Sequence, residues 1–346
     1  MRWKLADDDG GQPALFAEEE LVERHVGRGE FRGLEFFHVN ARRIINEVPA
    51  ASRVPFRYTI NAYRGCSHAC VYCFARPTHE YLGLGIGEDF DRKLVVKVNA
   101  VERLRAELAS RRWAGEHIAM GTNTDPYQRC EGKYHLTRGI VQALGEAANP
   151  FSILTKSTLI LRDLDVLQAA ALRTDVRANF SIGTMDEAVW KATEPGTPHP
   201  RRRVDAVARL NRAGIPCGVL VAPVLPGISD SPEQLEAVVR ACAEAGAVSI
   251  SPIALHLRPG VRDHFMAWLR RNRPDLVGEY ERRYRRAYLP AKEQEALAGT
   301  VRDLVDQARP SSRSCRDVRP PGGKESRHGR RQGRERSDLE QLTLSL

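Results

Sequence analysis

Short apolar segments alternate with amphipathic segments along most of the chain. After a first short strand at 56–61, apolar and β-branched residues predict strands at 94–98, 117–121, 151–155, 177–183, 216–222 and 248–252. Apolar residues at helical spacing predict helices at 100–111, 137–147, 161–171, 200–212 and 232–245, with more helices in 261–289. Repeated strand–helix units predict an α/β fold with a parallel sheet. In barrels of such units, functional side chains gather at the carboxyl ends of the strands.

The two ends of the chain lack this alternation. Residues 1–40 are charged and contain glycines, and we predict an N-terminal extension that is partly disordered or crosses the core as a strap, with a short helix at 18–25. Residues 41–260 are predicted to form the core, and 261–308 a helical cover. In the cover, Tyr280, Tyr284 and Tyr288 recur at helical spacing, which is typical of core packing. Residues 309–346 are predicted to be a disordered basic tail.

One loop, after the first predicted strand, holds three of the seven cysteines within eight residues: Cys66, Cys70 and Cys73. Three thiols cannot all pair as disulfides, but all of them can bind one soft metal centre. A 4Fe–4S cluster usually takes four thiolates, so three leave one iron open for chemistry. Two alternatives stay open: a zinc site that also uses His68, and a redox pair of Cys70 and Cys73 alone.

Composition narrows the class of protein. The chain has 346 residues, of which 42% are apolar, and it can bury one large α/β domain or two smaller ones. No apolar segment approaches the roughly 18 residues of a membrane span, and the polar, acidic start is unlike a secretory signal. Mostly unpaired cysteines indicate a reducing compartment, so we predict a cytoplasmic protein with no membrane contact. The net charge of +9 comes mostly from residues 309–336, where ten Lys or Arg face three Asp or Glu.

The spacing of the cysteines resembles that of the radical S-adenosylmethionine (radical SAM) superfamily. Residues 64–76, Arg-Gly-Cys-Ser-His-Ala-Cys-Val-Tyr-Cys-Phe-Ala-Arg, resemble the branch that is related to spore photoproduct lyase. The resemblance implies a partial (β/α)6 barrel whose first strand leads into the cysteine loop. Residues 94–98 are then an extra strand or part of a connection.

The same resemblance implies cofactors and a reaction. A 4Fe–4S cluster would bind S-adenosylmethionine at its open iron, and an electron would split this cofactor to give a 5′-deoxyadenosyl radical. The electron donor is expected to be a protein such as flavodoxin or ferredoxin. The backbone of Tyr72 is expected to contact the adenine.

Hydroxyl and amide side chains follow the second barrel strand, at Thr122-Asn-Thr-Asp125. Thr122, Thr124 and Asp125 are candidates for binding the amino acid part or the ribose of the cofactor, and a helix-capping turn is the alternative. Spore photoproduct lyases have a similar stretch, with a cysteine as hydrogen-atom donor where this chain has Thr122. A threonine O–H bond is too strong for that role. Cys130 is the candidate substitute, and a buried, inert thiol is the alternative.

Three further candidates follow later strands. The resemblance places Lys156, after the third strand, against S-adenosylmethionine, with a solvated surface charge as the alternative. Ser181 ends the fourth strand. The phrase Glu194-Pro-Gly-Thr, with Arg203 after it, again resembles the spore photoproduct lyase branch. A guanidinium suits a carboxylate, so Arg203 is expected to bind the methionine carboxylate, with a helix-surface arginine as the alternative.

The last residues of the chain are apolar, although the tail before them is basic. Leu342, Leu344 and Leu346 alternate with polar residues after Gln341, a pattern typical of an extended peptide that binds a groove. The phrase resembles the Gln-Leu-x-Leu-x-Leu peptides with which bacterial replication and repair proteins bind the DNA sliding clamp. A terminal strand or helical turn folded back on the domain is the alternative. Clamp binding would favour a DNA substrate, because the arginines of the tail suit DNA phosphates.

These features predict a radical SAM enzyme. The leading substrate class is nucleic acid, and the leading reaction is a lyase-like repair of a lesion. Radical modification of a protein or a small molecule is the second hypothesis. A non-enzymatic, zinc-bearing DNA-binding module is the third.

Overall fold

The structure is a computed structural model that describes residues 21–49, 52 and 54–308. Its strands are β1 (Leu21–Val26), β2 (Glu35–Val39), β3 (Ile45–Glu47), β4 (Tyr58–Ile60), β5 (Tyr63–Arg64), β6 (Lys93–Lys97), β7 (Ile118–Met120), β8 (Phe151–Thr155), β9 (Val176–Ser181), β10 (Cys217–Val224) and β11 (Ile250–Ala254). Its α-helices are α1 (Glu88–Arg92), α2 (Ala100–Leu108), α3 (Glu131–Tyr134), α4 (Leu136–Glu146), α5 (Leu164–Ala171), α6 (Glu187–Thr193), α7 (Pro200–Arg212), α8 (Pro232–Glu244), α9 (Val261–Asn272), α10 (Val277–Arg283) and α11 (Ala291–Ala308). Short 3-10 helices lie at Gly29–Phe31, Arg76–Leu82, Thr158–Asp163 and Pro274–Leu276.

Seven strands form the main sheet, in the order β11-β10-β9-β8-β7-β4-β3. Six neighbouring strands of this sheet pair in parallel: β4, β7, β8, β9, β10 and β11. Strand β3 is antiparallel to β4 at one edge. The predicted α/β fold with six parallel barrel strands is therefore confirmed. Within the described residues, the edge strands β11 and β3 do not pair with each other, so the barrel is partial.

Local signals fix where the helices of this sheet begin. Helix α8 opens with a capping box, in which the Ser231 hydroxyl accepts from the Gln234 N–H, and Pro232 stands at its first position. Helix α7 likewise begins with Pro200, and the His199 side chain accepts from the backbone of the first turn. These signals fix where α7 and α8 begin, and therefore where the loops between the preceding strands and these helices end.

A second sheet has the order β1-β2-β6-β5. Strands β1 and β2 form an antiparallel hairpin, β2 pairs in parallel with β6, and β5 pairs antiparallel with β6. The segment 94–98, left open by the sequence, thus lies outside the main sheet, and all of it but Val98 belongs to the extra strand β6. The predicted short helix at 18–25 is wrong over its described part, which belongs to strand β1. Pairing with β2 satisfies that backbone, whereas an isolated helix of this length is marginal.

The C-terminal helices pack on the side of the cysteine loop. Tyr280 and Tyr284 are fully buried in a cluster that includes Cys70 and Tyr72. Tyr288 departs from the predicted stripe, because it lies beyond α10 and is 40% exposed. None of the helices in the described part of the chain has both the length and the apolar composition for crossing a membrane.

Candidate functional site

The cysteine loop begins with a turn that only glycine fits. Gly65 has a φ of +76°, and a Cβ at this position would lie 2.9 Å from the Phe90 carbonyl oxygen. The next residue, Cys66, donates its N–H to that same oxygen over 2.9 Å. The turn therefore ties the start of the loop to helix α1.

Arg76 holds the other end of the loop. Its side chain is 1% exposed, and both Nε and Nη2 donate to the Cys70 carbonyl oxygen, over 3.1 and 2.9 Å. The guanidinium also donates to Asp91 over 2.8 Å and to the carbonyl oxygens of Ile86 and Gly87. Sequence reasoning gave Arg76 no role, although it stands three positions after the last cysteine of the motif.

The phrase that begins at Glu194 packs directly on the cysteine loop. The Gly196 N–H donates to the His68 carbonyl oxygen over 3.0 Å, and Val71 N–H donates to that of Thr193 over 3.0 Å. A Cβ on Gly196 would lie 2.2 Å from the carbonyl oxygen of Ser67. Close backbone contact therefore requires glycine at this position. This contact links the cysteine loop to the phrase at Glu194, the two segments that carry the family resemblance.

The three thiols of the loop are free and shielded. Cys66 and Cys70 are buried and Cys73 is partly exposed. Burial raises the pKa of each thiol, so all three are neutral near pH 7 unless a metal displaces their protons.

The spacing of these thiols does not suit one small ion. Among the described residues, one set of three His, Cys, Asp or Glu side chains has its ligand atoms all within 4.8 Å of one another, and it contains none of the three cysteines. The donors of a tetrahedral zinc ion, about 2.3 Å from the metal, lie closer together than that. His68, the proposed fourth zinc ligand, instead has Nδ1 3.4 Å from Asp125 Oδ2. This arrangement disfavours the zinc hypothesis.

Two predicted ligand residues brace the loop instead of facing open space. The Thr124 hydroxyl donates to the Gly65 carbonyl oxygen over 2.6 Å, and Gln128 Nε2 donates to the same oxygen over 3.0 Å. Asp125 accepts from the Thr155 hydroxyl at 2.6 Å and from the Lys156 N–H at 2.7 Å. Burial alone would raise the pKa of Asp125, but the charge of His68 and these hydrogen bonds lower it. The carboxylate is therefore a charged anchor between β7 and β8.

Thr122 is placed differently from Thr124. It is partly exposed, next to the exposed Asn123, and its hydroxyl accepts from Asn61 Nδ2 over 3.3 Å. Asn61 comes directly after β4, so the ends of two neighbouring strands meet here. Of the predicted residues in this loop, Thr122 is the one whose side chain is accessible.

Lys156 and Glu194 form the charged centre of the site. Lys156 Nζ lies 3.0 Å from Glu194 Oε1 and 2.6 Å from the Ser181 hydroxyl, which donates to the Ala222 carbonyl oxygen. The same ammonium lies 5.5 Å from the centre of the Tyr72 ring, and the Tyr72 hydroxyl donates to Glu194. The structure thus brings together Tyr72, Lys156 and Ser181, which the sequence predicted, around an acid that it did not.

Arg203 lies behind this centre. It is fully buried, and its guanidinium donates to Glu194 Oε2 and the Thr197 hydroxyl, both at 2.5 Å, and to the Ser181 carbonyl oxygen at 3.0 Å. Burial would raise the pKa of Glu194, but the charges of Arg203 and Lys156 lower it to about 2. This burial excludes the helix-surface alternative for Arg203. In the structure the guanidinium donates to protein acceptors, among them Glu194, and its contact with the methionine carboxylate stays a prediction.

The remaining described candidate, Cys130, is not part of this centre. Cys130 is completely buried in the main hydrophobic core, beside Tyr63, and burial raises the pKa of its thiol. This position matches the buried, inert alternative, and the donor role stays a prediction. The peptide Gln341, Leu342, Leu344 and Leu346 lies outside the described residues.

Comparison with known proteins identifies the class. A model of the Radical SAM superfamily matches residues 60–242, from the end of β4 into α8, which is more than half of the chain. The chain therefore belongs to the radical SAM superfamily, as its cysteine spacing predicted. Members use a 4Fe–4S cluster and S-adenosylmethionine and need a reductant.

The chain is also similar to individual proteins and to a solved structure. The chain is 45% identical over 318 residues to an uncharacterized protein of Mycobacterium tuberculosis (strain ATCC 25618 / H37Rv), covering 89% of this chain and 93% of that protein. It is 27% identical over 164 residues to the Radical SAM Nalpha-GlyT isomerase of Pseudomonas phage M6, covering 47% of this chain and 32% of the isomerase. A double mutant of spore photoproduct lyase, with bound AdoMet and dinucleoside spore photoproduct, covers 80% of each chain with a TM-score of 0.56 and 19% identity. That likeness confirms the fold.

Proposed function

We propose that Cys66, Cys70 and Cys73 hold the 4Fe–4S cluster of a radical SAM enzyme that acts on nucleic acid. The observation that carries the cofactor assignment is a loop of three free, shielded thiols, with no fourth cysteine in the loop and an ammonium–carboxylate pair beside it. When bound, the cluster supplies the electron that splits S-adenosylmethionine into methionine and a 5′-deoxyadenosyl radical. The protein supplies position and excludes water.

Lys156 is the residue best placed to bind the carboxylate of S-adenosylmethionine. Its side chain is 14% exposed, whereas that of its partner Glu194 is 4% exposed. The ammonium can therefore reach a ligand on its open side while Glu194 and Ser181 hold it from behind. Tyr72, in the same group, contributes its ring and hydroxyl here, and the adenine contact of its backbone stays a prediction.

Replacing Lys156 by alanine is expected to weaken S-adenosylmethionine binding by about 10- to 150-fold, since a charge-assisted contact is worth roughly 1.5–3 kcal/mol. Equilibrium dialysis of the cluster-loaded protein under anaerobic conditions measures the dissociation constant. The control is Lys191→Ala, because Lys191 lies on the exposed face of α6 and pairs with Glu187. An affinity for S-adenosylmethionine that is the same in Lys156→Ala and in the unchanged protein contradicts the assignment.

Two cations beside the cysteine loop support an anionic substrate. Arg64, on β5, pairs with Val95 of β6, so Arg64 and Lys97 lie on the sheet face opposite to Tyr63 and Val96. Neither side chain has a hydrogen-bond acceptor among the described residues. Burial lowers the pKa of both side chains, and Arg64 adds to the effect on Lys97, whose pKa is about 7. Lys97 is therefore only partly charged near pH 7, and a bound anion would favour its charged form.

Within residues 21–49, 52 and 54–308, no acid forms an ion pair with either of these two cations. Glu107 is an acid that acts on Lys97, but its two carboxylate oxygens accept the N–H groups of Ile44 and Ile45. Unpaired cations in a partly buried position are costly, and a phosphate would stabilise both. The solved relative with a bound dinucleoside supports the same substrate class. Nucleic acid is thus favoured over a neutral small molecule.

Arg64→Gln and Lys97→Gln are each expected to weaken binding of a DNA oligonucleotide regardless of its sequence, and to lower the slope of log K against log salt by about 1. Fluorescence anisotropy at several salt concentrations measures both quantities. The control is Lys292→Gln, on the exposed start of α11. If both variants keep the affinity and salt slope of the unchanged protein, these cations do not bind the substrate.

The deciding experiment is a turnover assay. The cluster-loaded protein is reduced with dithionite and mixed with S-adenosylmethionine and UV-irradiated oligonucleotide. We expect 5′-deoxyadenosine together with loss of a pyrimidine lesion, both measured by mass spectrometry. Formation of 5′-deoxyadenosine with unchanged oligonucleotides would favour radical modification of a protein or small molecule. The clamp-binding peptide stays a prediction from the sequence, and it would place such an enzyme on replicating DNA.

A further inference from the structure

The β1–β2 hairpin carries two histidines and one glutamate on a single face. Glu23 pairs directly with His38 across the hairpin, and His25 lies two residues from Glu23 on the same strand. Since side chains alternate along a strand, all three point to the same side of the sheet. Their ligand atoms all lie within 4.8 Å of one another.

The three side chains already point at one another. His25 Nε2 lies 2.8 Å from Glu23 Oε2, and the ring centres of His25 and His38 are 4.4 Å apart. The two imidazoles and one carboxylate form the donor set that zinc takes when it keeps a fourth position for water. Imidazole donors also suit other first-row divalent ions, so the ligand class is a borderline transition metal.

A fourth residue orients the set from another layer of the fold. His38 Nε2 lies 2.8 Å from the hydroxyl of Tyr134, which ends helix α3. Metal-binding histidines commonly use one ring nitrogen for such a contact and the other for the metal. Here the contact leaves Nδ1 of His38 for an ion. The neighbouring Lys133 ammonium lies over the rings of Phe36 and Tyr134, at 5.7 and 5.2 Å.

We propose that Glu23, His25 and His38 bind a divalent metal of the zinc type, at a site separate from the cysteine loop. The bound ion would join β1 to β2 across the hairpin. Through Tyr134, it would also fix the hairpin to α3, which follows the loop that contains Thr124 and Gln128. The site would therefore have a structural role, because it would fix the hairpin to a helix next to the residues that hold the cysteine loop.

The test measures zinc and iron in the same sample. The full chain with its cluster is equilibrated anaerobically with a small excess of zinc sulfate and dialysed against metal-free buffer, and both metals are quantified by mass spectrometry. We expect one zinc per chain, lost in His25→Gln and in His38→Gln, with iron unchanged. His117→Gln is the control, since His117 precedes β7 in the main sheet, outside this group.

A second variant distinguishes a metal site from a group of surface side chains that only hydrogen-bond to one another. Tyr134→Phe keeps all three ligands and removes the orienting contact, so zinc affinity is expected to fall 10- to 100-fold. Isothermal titration measures this change. Far-UV circular dichroism verifies that each variant is folded. Zinc retained at full level in both histidine variants, no zinc in the unchanged protein, or zinc that rises only as iron is lost would each overturn the proposal.

Discussion

Replacing any one of Cys66, Cys70 and Cys73 by alanine is expected to abolish retention of the cluster and with it all cleavage of S-adenosylmethionine. Two thiolates cannot hold a four-iron cube in which three irons need a protein ligand. The measurement is iron and acid-labile sulfide per chain after anaerobic reconstitution. Visible absorbance that bleaches with dithionite provides an independent reading.

The chain provides its own controls for this experiment. Cys217 and Cys242 are buried in the main core and lie on β10 and α8. Alanine at either position is expected to cost some stability, through a small cavity, and to leave iron content unchanged. If Cys242→Ala loses its iron while remaining folded, or if a variant of the loop keeps a full cluster, the three-ligand assignment is wrong.

Replacing Arg203 by methionine is expected to lower the free energy of unfolding by roughly 3–5 kcal/mol, because it leaves the buried carboxylate of Glu194 short of a partner. Urea unfolding followed by circular dichroism measures the change. Arg202→Met is the matched control, since Arg202 is the exposed preceding residue of helix α7. Its expected effect is within about 0.5 kcal/mol. Equal effects in the two variants would show that the Arg203–Glu194 pair is not energetically important.

The same pair predicts how stability depends on pH. The pKa of Glu194 is about 2 in the folded protein, against a usual value of 4.5. A depressed pKa means that the charged carboxylate stabilises the fold above pH 4.5, and that this contribution is lost as the pH falls toward 2. Glu194→Gln should remove this part of the acid dependence. A pH profile of unfolding that is identical in Glu194→Gln and the unchanged protein would contradict the pairing.

Local sequence was sufficient for the elements that depend on neighbours in the chain. Three cysteines within one loop lie close whatever the rest of the fold does, and parallel strands such as β10 are buried on both faces and hence apolar throughout. The first strands were harder to predict from sequence. Strand β1 has no buried face that a pattern could show, since Val22, Glu23, Arg24 and Val26 are exposed and only His25 is partly buried, and its pairing with β2 decides its conformation.

The acid at the centre of the site could not be found in the same way. Glu194 is 38 residues from Lys156 and 122 from Tyr72, so only the folded chain shows that the three meet. Thr124 and Asp125 have side chains that suit a ligand, yet in the fold Thr124 donates to Gly65 of the cysteine loop and Asp125 accepts from Thr155 and Lys156 at the end of β8. Residue type alone does not distinguish binding a cofactor from supporting the loop that binds it.

The bracing of the cysteine loop has a consequence for the maturation of the enzyme. Arg76 fixes the Cys70 carbonyl, Thr124 and Gln128 fix that of Gly65, and Gly196 fixes that of His68. None of these contacts uses a thiol. The entropy of ordering the loop is therefore already lost when the chain folds, unlike in a zinc finger, where the metal must meet that cost. We therefore expect that the protein can fold first and receive its iron and sulfide afterwards, in a loop that is already ordered.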